Sequence, residues 1–381
     1  MASSPGSIPE ATQRAASLDG LRGFAALAVV YTHLVLCMGL LPYEPLGAMG
    51  VQVFFALSGY LICRICWRDS PDWAAYRRFL WRRFVRLAPA LGVLVVAGLL
   101  MICLAGGVPL ATAFRDAAYA ATQTTAFAWA AGTDVHPVFQ ATWSLTVEWV
   151  YYLLFPALFI LLRRRFSARL VQRQLMVLSL ALFVVGLFLP PRLFYLLPVA
   201  NLAVLISGAT LATHHERLRD TRTQVDNGRT GMAMLMLAIL PILPGHTLGW
   251  GWKLAVFPAA AVSTLVIIHG CWGNTRAANL LSVRPLRQVG LRAYSLYLWH
   301  LPIMWLIWVT VPGSNRVMKA LIALGILAVL VPISFSLLER PALRRPPHRP
   351  ALRRQGCEPA PNPTTFAKRQ SEAAARGILP Q

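Results

Sequence analysis

The sequence predicts an all-α polytopic membrane protein with about ten transmembrane helices and both termini in the cytoplasm. Its 381 residues are 57% hydrophobic and only 13% charged, whereas soluble domains carry about 25% charged residues. Mean hydropathy is +0.56. Apolar runs of roughly 17 to 22 residues recur along the chain, the length that a helix needs to cross a hydrocarbon core. Arginines lie mostly between these runs.

Ten apolar runs are predicted to be transmembrane helices. Pro190 and Pro191 separate the fifth run from the sixth, because proline cannot continue a helix beyond its first turn. Segment 112–131 is rich in Ala and Thr, and its polarity predicts a helix that lies at the surface or re-enters the membrane. The ten runs cover about residues 22–41, 48–66, 87–106, 142–162, 174–190, 193–213, 231–249, 253–272, 289–310 and 318–338.

The distribution of positive charge orients these helices. With both termini in the cytoplasm, 31 of the 36 Lys and Arg residues fall on the cytoplasmic side, as the positive-inside rule requires. A missed or extra helix would scramble this alternation. We therefore predict a cytoplasmic segment at 1–16, a membrane domain at 17–340 and a basic cytoplasmic tail at 341–381. The tail is expected to be disordered, since it holds little that is apolar.

Arg22 and His33 lie on the first apolar run. Their spacing of eleven residues corresponds to about three helical turns plus 20°, so both side chains leave the same face of a helix. His33 is then about 16 Å deeper than Arg22, near the middle of a core that is about 30 Å thick. An ionisable residue at that depth is costly and marks a candidate functional site.

Arg83 and Arg86 lie where the third run begins, at the end of a loop that holds seven arginines. Retention of the loop in the cytoplasm explains such a cluster without any ligand. However, residues three apart share one helix face, and paired guanidinium groups can hold a phosphate through bidentate hydrogen bonds. Phosphate binding is therefore the alternative to a purely topological role.

Glu148 is the carboxylate that lies deepest within a predicted span, because Asp19 and Glu339 lie at cytoplasmic ends. A buried carboxylate must pair or become protonated. Ser144 is four positions earlier and shares its helix face. Structural pairing with a neighbouring helix and a direct role in chemistry both remain open for Glu148.

Other polar residues at depth lie on the ninth and second runs. His300 is predicted at a depth similar to that of the first-run histidine, with Tyr297 one turn before it, and Gln52 and Ser58 lie on the second run. Core packing and hydrogen bonding are the alternative to a functional role for each. The chain has no HExxH, P-loop or Gly-x-Ser-x-Gly motif, so neither metal nor serine-hydrolase chemistry is expected.

Taken together, these segments resemble the membrane acyltransferase-3 family. Arg22 and His33 match R-x10-H, its most distinctive motif, and Arg83 and Arg86 match R-x-x-R. Each motif is modest alone, but the ordered set is highly specific. It comprises LDGLRGFAALAVVYTH at 18–33, GVQVFFALSGYLI at 50–62, RRFVRLAP at 82–89, WSLTVEWVYYLLFP at 143–156, YSLYLWHLPI at 294–303 and ERP at 339–341.

The resemblance implies transfer of an acyl group from cytoplasmic acyl-CoA to a hydroxyl group by a ten-helix domain in the cell membrane. It implies that His33 is the catalytic base and that Glu148 supports the site. Arg22, Arg83 and Arg86 would hold the donor's phosphates or orient the site. The layout is closest to the stand-alone members of the family, so a macrolide or other secondary metabolite is the expected acceptor.

Two alternatives remain open at this point. One is O-acetylation of a surface polysaccharide or a lipid-linked glycan. The other is a proton-coupled transporter that uses His33, Glu148 and His300 as a relay. Nucleic-acid binding is not expected, since the positive charge lies in loops between apolar runs. The sequence leaves open the acyl chain, the acceptor, the oligomeric state and whether Asp19 or Glu148 touches the imidazole.

Overall fold

The computed structural model describes residues 10–37, 39, 46–105, 107–217, 225–242, 249–273, 275–311, 313 and 315–344, and these contain helices and no strand. The chain divides into a unit from Met1 to Ala342 and a second from Leu343 to Gln381. Of the second unit, the structure describes only Leu343 and Arg344. The predicted tail at 341–381 therefore lies outside the described residues, apart from its first four.

Seventeen α-helices are present in the described residues. A 3-10 turn at Leu240–Ile242 follows α11, and π-helical turns at Trp252–Val256 and Phe335–Glu339 precede α12 and α17. The helices are α1 Glu10–Cys37, α2 Leu46–Arg68, α3 Trp73–Ala105, α4 Leu110–Ala121, α5 Thr125–Ala130, α6 Pro137–Gln140, α7 Trp143–Arg165, α8 Ala168–Leu187, α9 Pro191–Leu196, α10 Pro198–Arg217, α11 Asn227–Ile239, α12 Phe257–Gly270, α13 Arg276–Leu281, α14 Arg284–Leu291, α15 Ala293–Thr310, α16 Arg316–Ser334 and α17 Arg340–Arg344.

Eight helical segments among the described residues are long and apolar enough to cross a membrane, against ten predicted runs. The two remaining runs correspond to α11, which has 13 residues, and to α15, which has 18 residues and is not among these eight. The eight are Gln13–Leu36, Leu46–Arg68, Trp73–Ala105, Pro137–Arg165, Ala168–Leu187, Pro191–Arg217, Trp252–Gly270 and Arg316–Leu343. The all-α polytopic membrane fold is confirmed, while the count of ten stays a prediction.

Helices α2 and α10 pack together at the centre of the fold. A Cβ atom on Gly59 would lie 1.8 Å from the backbone oxygen of Leu205, and one on Gly208 would lie 2.0 Å from that of Ala56. Small residues allow this close approach of two helices within a membrane. Helix α10 thus contacts α2 on one side and α8 on another, and α1 lies against α2, α14 and α15.

The arginine-rich ends of several helices meet at one end of the bundle, which we call the basic end. Arg163, near the end of α7, donates to the backbone oxygens of Cys66, Trp67 and Asp69 at 2.9 to 3.1 Å. Arg64 forms an ion pair with Glu216 at 2.9 Å, which joins the ends of α2 and α10. The basic end corresponds to the side predicted to be cytoplasmic.

Segment 112–131, which is predicted to be one helix, holds most of α4, all of α5 and the turn between them. Asp116 on α4 is fully buried. Its carboxylate accepts from the Arg115 guanidinium at 2.9 Å and from the backbone N–H of His136 at 2.8 Å. These hydrogen bonds hold the segment between α3 and α7 around the carboxylate of Asp116. A buried carboxylate needs such partners, because burial without them is costly.

Candidate active site

Two histidines from different helices form the centre of the candidate site. His33 lies on α1 and His300 on α15, and the distance from His33 Nδ1 to His300 Nε2 is 3.2 Å. Their ring centroids are 4.9 Å apart. His300 is fully buried, whereas His33 is half-buried. The sequence placed both residues at a similar depth, and the structure brings them into direct contact.

The hydrogen bonds of this pair assign the proton on each ring. His33 Nδ1 lies 2.9 Å from the backbone oxygen of Val29, and His300 Nδ1 lies 2.7 Å from that of Tyr297. Because a carbonyl oxygen only accepts, each Nδ1 carries the proton when its ring is neutral. The His33 Nδ1–H group then donates a bifurcated hydrogen bond to the Val29 oxygen and to His300 Nε2. The Nε2 atom of His33 keeps its lone pair and makes no hydrogen bond with the described residues.

The pair continues into a second buried contact on α7. Tyr297 donates its hydroxyl hydrogen to the backbone oxygen of Ala141 at 2.9 Å. Ser144 lies 2.6 Å from the same phenolic oxygen, which therefore accepts from the serine. The Tyr297 ring lies 5.5 Å from that of His300, centroid to centroid. These contacts hold α15 against α7 and fix the turn that carries His300.

Glu148 lies one turn beyond Ser144 on α7, and two hydroxyl groups bind its carboxylate. Ser58 on α2 donates to one oxygen at 2.8 Å, and Tyr152 donates to the other at 2.7 Å. Both donors stabilise the ionised carboxylate. The predicted pairing of Glu148 with a neighbouring helix is thus made by the Ser58 hydroxyl, in a position close to the arginines.

Three arginines lie at the end of this site nearest the basic end. Arg22 forms an ion pair with Asp19 at 3.5 Å and interacts electrostatically with Arg83 and Glu148. Arg86 interacts electrostatically with both Arg83 and Arg22. The three guanidinium groups therefore interact with one another at the same end of the site.

Arg83 and Arg86 differ in their contacts. The guanidinium carbon of Arg83 lies 5.3 Å from the centroid of the Tyr152 ring and 5.4 Å from that of Phe79, both within cation–π range. The Nε atom of Arg86 is buried and makes no hydrogen bond with the described residues. A buried donor without a partner is costly, so an anionic ligand that accepts from Arg86 would gain affinity there.

Gln52 shares no hydrogen bond with these residues. Its side-chain amide donates to Asn201 at 3.2 Å, and both residues are fully buried in the interface between α2 and α10. The structure therefore groups His33, His300, Tyr297 and Ser144 in one chain of contacts. It groups Ser58 and Glu148 in a second, next to Asp19 and the three arginines.

Sequence reasoning assigned no role in the site to two residues of this region. Tyr152 lies four positions after Glu148, a helical spacing that could have identified it as a partner. Glu339 was placed at a cytoplasmic end, yet it is only 1% exposed. It accepts a hydrogen bond from Ser295 and interacts electrostatically with Arg86. It ends the π-helical turn Phe335–Glu339, which apolar patterning does not reveal.

The order of these residues along the chain is matched by a family model. The model describes an acyltransferase domain and covers residues 15–339, a range that includes every residue of the candidate site. The chain belongs to the acyltransferase-3 family. The resemblance inferred from the motifs is thereby confirmed.

Two curated relatives of this acyltransferase-3 chain come from bacteria. O-acetyltransferase OatA of Staphylococcus aureus (strain NCTC 8325 / PS 47) is 27% identical over 353 residues, which cover 86% of this chain and 57% of that protein. Peptidoglycan O-acetyltransferase OatA of Listeria monocytogenes serovar 1/2a is 26% identical over 352 residues, which cover 85% of this chain and 55% of that protein. The chain thus spans a little over half the length of these relatives. No solved structure matches it.

Proposed function

We propose that this chain is an O-acyltransferase of the cell membrane that moves an acyl group from acyl-CoA to a hydroxyl group of a surface glycan. The observation that carries the proposal is the state of His33. Its Nδ1 atom is held by the backbone of Val29 and by His300, so its Nε2 lone pair is available as a base. The nearby arginine cluster supports an anionic donor.

In this proposal the donor supplies the acyl group as a thioester, and the chain supplies proton transfer and charge. His33 Nε2 takes the proton of the acceptor hydroxyl as its oxygen forms the new ester bond. The same proton then passes to the departing thiolate. The His33 Nδ1–H bond keeps the ring oriented and stabilises the imidazolium that forms between the two events. Proton transfer of this kind contributes about 10² to 10⁴-fold to a rate.

The three arginines fit the negative end of the donor. Guanidinium groups bind phosphate through paired hydrogen bonds, and the buried Nε of Arg86 has an unused donor. Arg22 and His33 lie on the same face of α1, about 16 Å apart along the axis. A donor that binds at Arg22 would therefore reach His33 by extending along α1 into the bundle.

The comparisons favour a glycan as the acceptor over the macrolide predicted from the sequence. The relative from Listeria monocytogenes is named for peptidoglycan O-acetylation, and the one from Staphylococcus aureus is named an O-acetyltransferase. Acetyl is accordingly the first acyl group to test. Membership of an acyltransferase family also favours an enzyme over the transporter alternative.

The experiment is an acceptor-dependent assay of CoA release. Purified full chain in lipid nanodiscs receives acetyl-CoA and either a muropeptide, a macrolide or no acceptor, and free thiol and acetylated product are measured. We expect release and product with the muropeptide above the level without acceptor. Acetylated product with the macrolide but not with the muropeptide would favour a secondary metabolite as the acceptor. Folded protein that releases no CoA with either acceptor would overturn the proposed enzyme activity.

A further inference from the structure

A groove of about 500 Å³ runs along the outer face of α8, α10 and α12. Met176, Leu180 and Val262 on its walls are each more than half exposed, so it opens sideways from the bundle. Along α8 its wall extends from Gln172 to Phe183, which is about 16 Å of helix. This equals one leaflet of a hydrocarbon core about 30 Å thick, the space that one lipid acyl chain occupies.

The groove presents an apolar surface to an occupant, although three residues with hydroxyl groups line it. Ser179 donates to the backbone oxygen of Ala203 at 2.7 Å, Ser207 to that of Val204 at 2.7 Å and Thr210 to that of Ile206 at 2.9 Å. Each hydroxyl hydrogen is therefore used within the protein. An occupant meets a hydrocarbon-like surface, which suits a saturated or unsaturated chain without polar groups.

Polar side chains line the groove at its basic end. The Gln172 amide lies 3.4 Å from His214 Nδ1 and joins α8 to α10 there. One turn further, Arg169 on α8 and Arg217 on α10 are both exposed. Residues three apart share a helix face, so these arginines continue the two walls of the groove beyond Gln172 and His214. None of the four belongs to the candidate active site.

We propose that this groove binds one acyl chain of an anionic phospholipid, with its phosphate held between Arg169 and Arg217. The length of the groove matches the chain, and the two guanidinium groups match the headgroup charge. Basic residues at the membrane surface attract anionic lipids, and paired guanidiniums bind phosphate in a defined orientation. The lipid would come from the leaflet at the basic end.

The test uses photoactivatable lipids in nanodiscs that contain the full chain. Phosphatidylglycerol and phosphatidylcholine, each with a diazirine on one acyl chain, are crosslinked and the labelled residues are mapped by mass spectrometry. We expect phosphatidylglycerol to label α8 and α12, at Met176, Leu180 or Val262, more than phosphatidylcholine does. The double variant Arg169→Gln/Arg217→Gln should lower this labelling about fivefold for each arginine.

Two control variants keep the result specific. Arg77→Gln/Arg284→Gln removes two exposed charges elsewhere at the basic end and should leave labelling of the groove unchanged. Ala261→Phe fills the groove and should abolish labelling there, while Leu321→Phe on the exposed face of α16 should not. Each variant is first checked for its unfolding temperature and its monodispersity.

Three outcomes would overturn the proposal. Equal labelling of the groove by the two lipids would show an apolar surface without headgroup selection. An equal loss in the two double-arginine variants would show attraction by overall charge. Absence of groove labelling by either lipid in folded protein would show that no lipid chain occupies the groove.

Discussion

Two histidine pairs lie in the same helical bundle, and they are built in opposite ways. In the first pair, His33 and His300 turn both Nδ1 atoms towards backbone oxygens, and the Nε2 atom of His33 makes no hydrogen bond within the described part of the chain. In the second pair, His215 on α10 faces His269 on α12, and the His215 Nε2 atom lies 2.8 Å from His269 Nδ1.

The second pair uses both ring nitrogens of its buried member. Trp272 donates to the Tyr60 hydroxyl, so that hydroxyl directs its own hydrogen to His215 Nδ1, 3.1 Å away. The His215 Nε2–H bond then goes to His269. The His215 ring also packs against Trp272, with centroids 4.2 Å apart. No lone pair is left on His215 for a substrate.

The comparison shows that a hydrogen-bonded contact with another histidine does not by itself define a base. Both pairs hydrogen-bond their buried histidine, yet the first leaves the lone pair of a ring nitrogen free, whereas in the second the His215 Nε2–H group donates to His269 Nδ1 and leaves no free lone pair. The difference lies in the partners of each ring nitrogen. We therefore expect chemistry at His33 and structural support at His215.

Substitution of His33 should give the largest effect. His33→Ala removes the proposed base, and we expect acceptor-dependent CoA release to fall by about 10² to 10⁴-fold. Donor binding should be retained, because the arginines that bind the donor are intact. The measurements are CoA release and equilibrium binding of a non-hydrolysable acetyl-CoA analogue to the purified variant in nanodiscs.

His215→Ala is the matched control for that experiment. It removes a buried histidine from an equivalent pair, and we expect CoA release to change less than about threefold while the protein loses about 1 to 3 kcal/mol of stability. Near-normal turnover of His33→Ala would contradict the assignment of His33 as the base. Loss of turnover in folded His215→Ala would contradict the structural role of His215.

The arginine cluster gives the next largest effect. Arg86→Ala should raise KM for acetyl-CoA by about 10 to 100-fold, the range for loss of a hydrogen bond to a charged group, with a smaller change in kcat. Arg82 precedes it on α3 but is exposed, so Arg82→Ala should change KM less than about twofold. Equal effects of the two variants would mean that Arg86 contributes charge at a distance and does not contact the donor.

The sequence predicts one helix of this site well and the contacts between helices poorly. Helical geometry alone places Arg22 and His33 on one face of α1, and the R-x10-H motif assigns their roles by resemblance. The contact of His33 with His300 depends on α1 lying beside α15, and no pattern within either run encodes which helices are neighbours. Gln52 illustrates the same limit, since its depth is predictable but its partner on α10 is not.

Membrane spans show where patterning works and where it fails. Long apolar runs such as α3 and α16 are found as predicted, because hydrophobicity over about 20 residues decides them. The ninth run, at 289–310, likewise predicts α15, although His300 and Tyr297 interrupt its apolar sequence. The seventh run, predicted over 231–249, corresponds to α11, a helix of only 13 residues. The pattern thus identifies the helix that carries His300 but not the contacts that its polar side chains make.

Removal of the ring that positions the base should give the smallest effect on catalysis. His300→Leu removes the Nε2 acceptor of His33 Nδ1–H while keeping an apolar side chain in the buried position. The Val29 oxygen still holds that hydrogen, so we expect kcat to fall only about 2 to 10-fold, the range for one lost hydrogen bond, with KM for the donor unchanged. His300→Gln can supply a carbonyl acceptor and should recover most of this loss. A structural role alone would lower kcat equally in the two variants and in proportion to their loss of stability, whereas positioning of His33 predicts that Gln rescues turnover at equal stability.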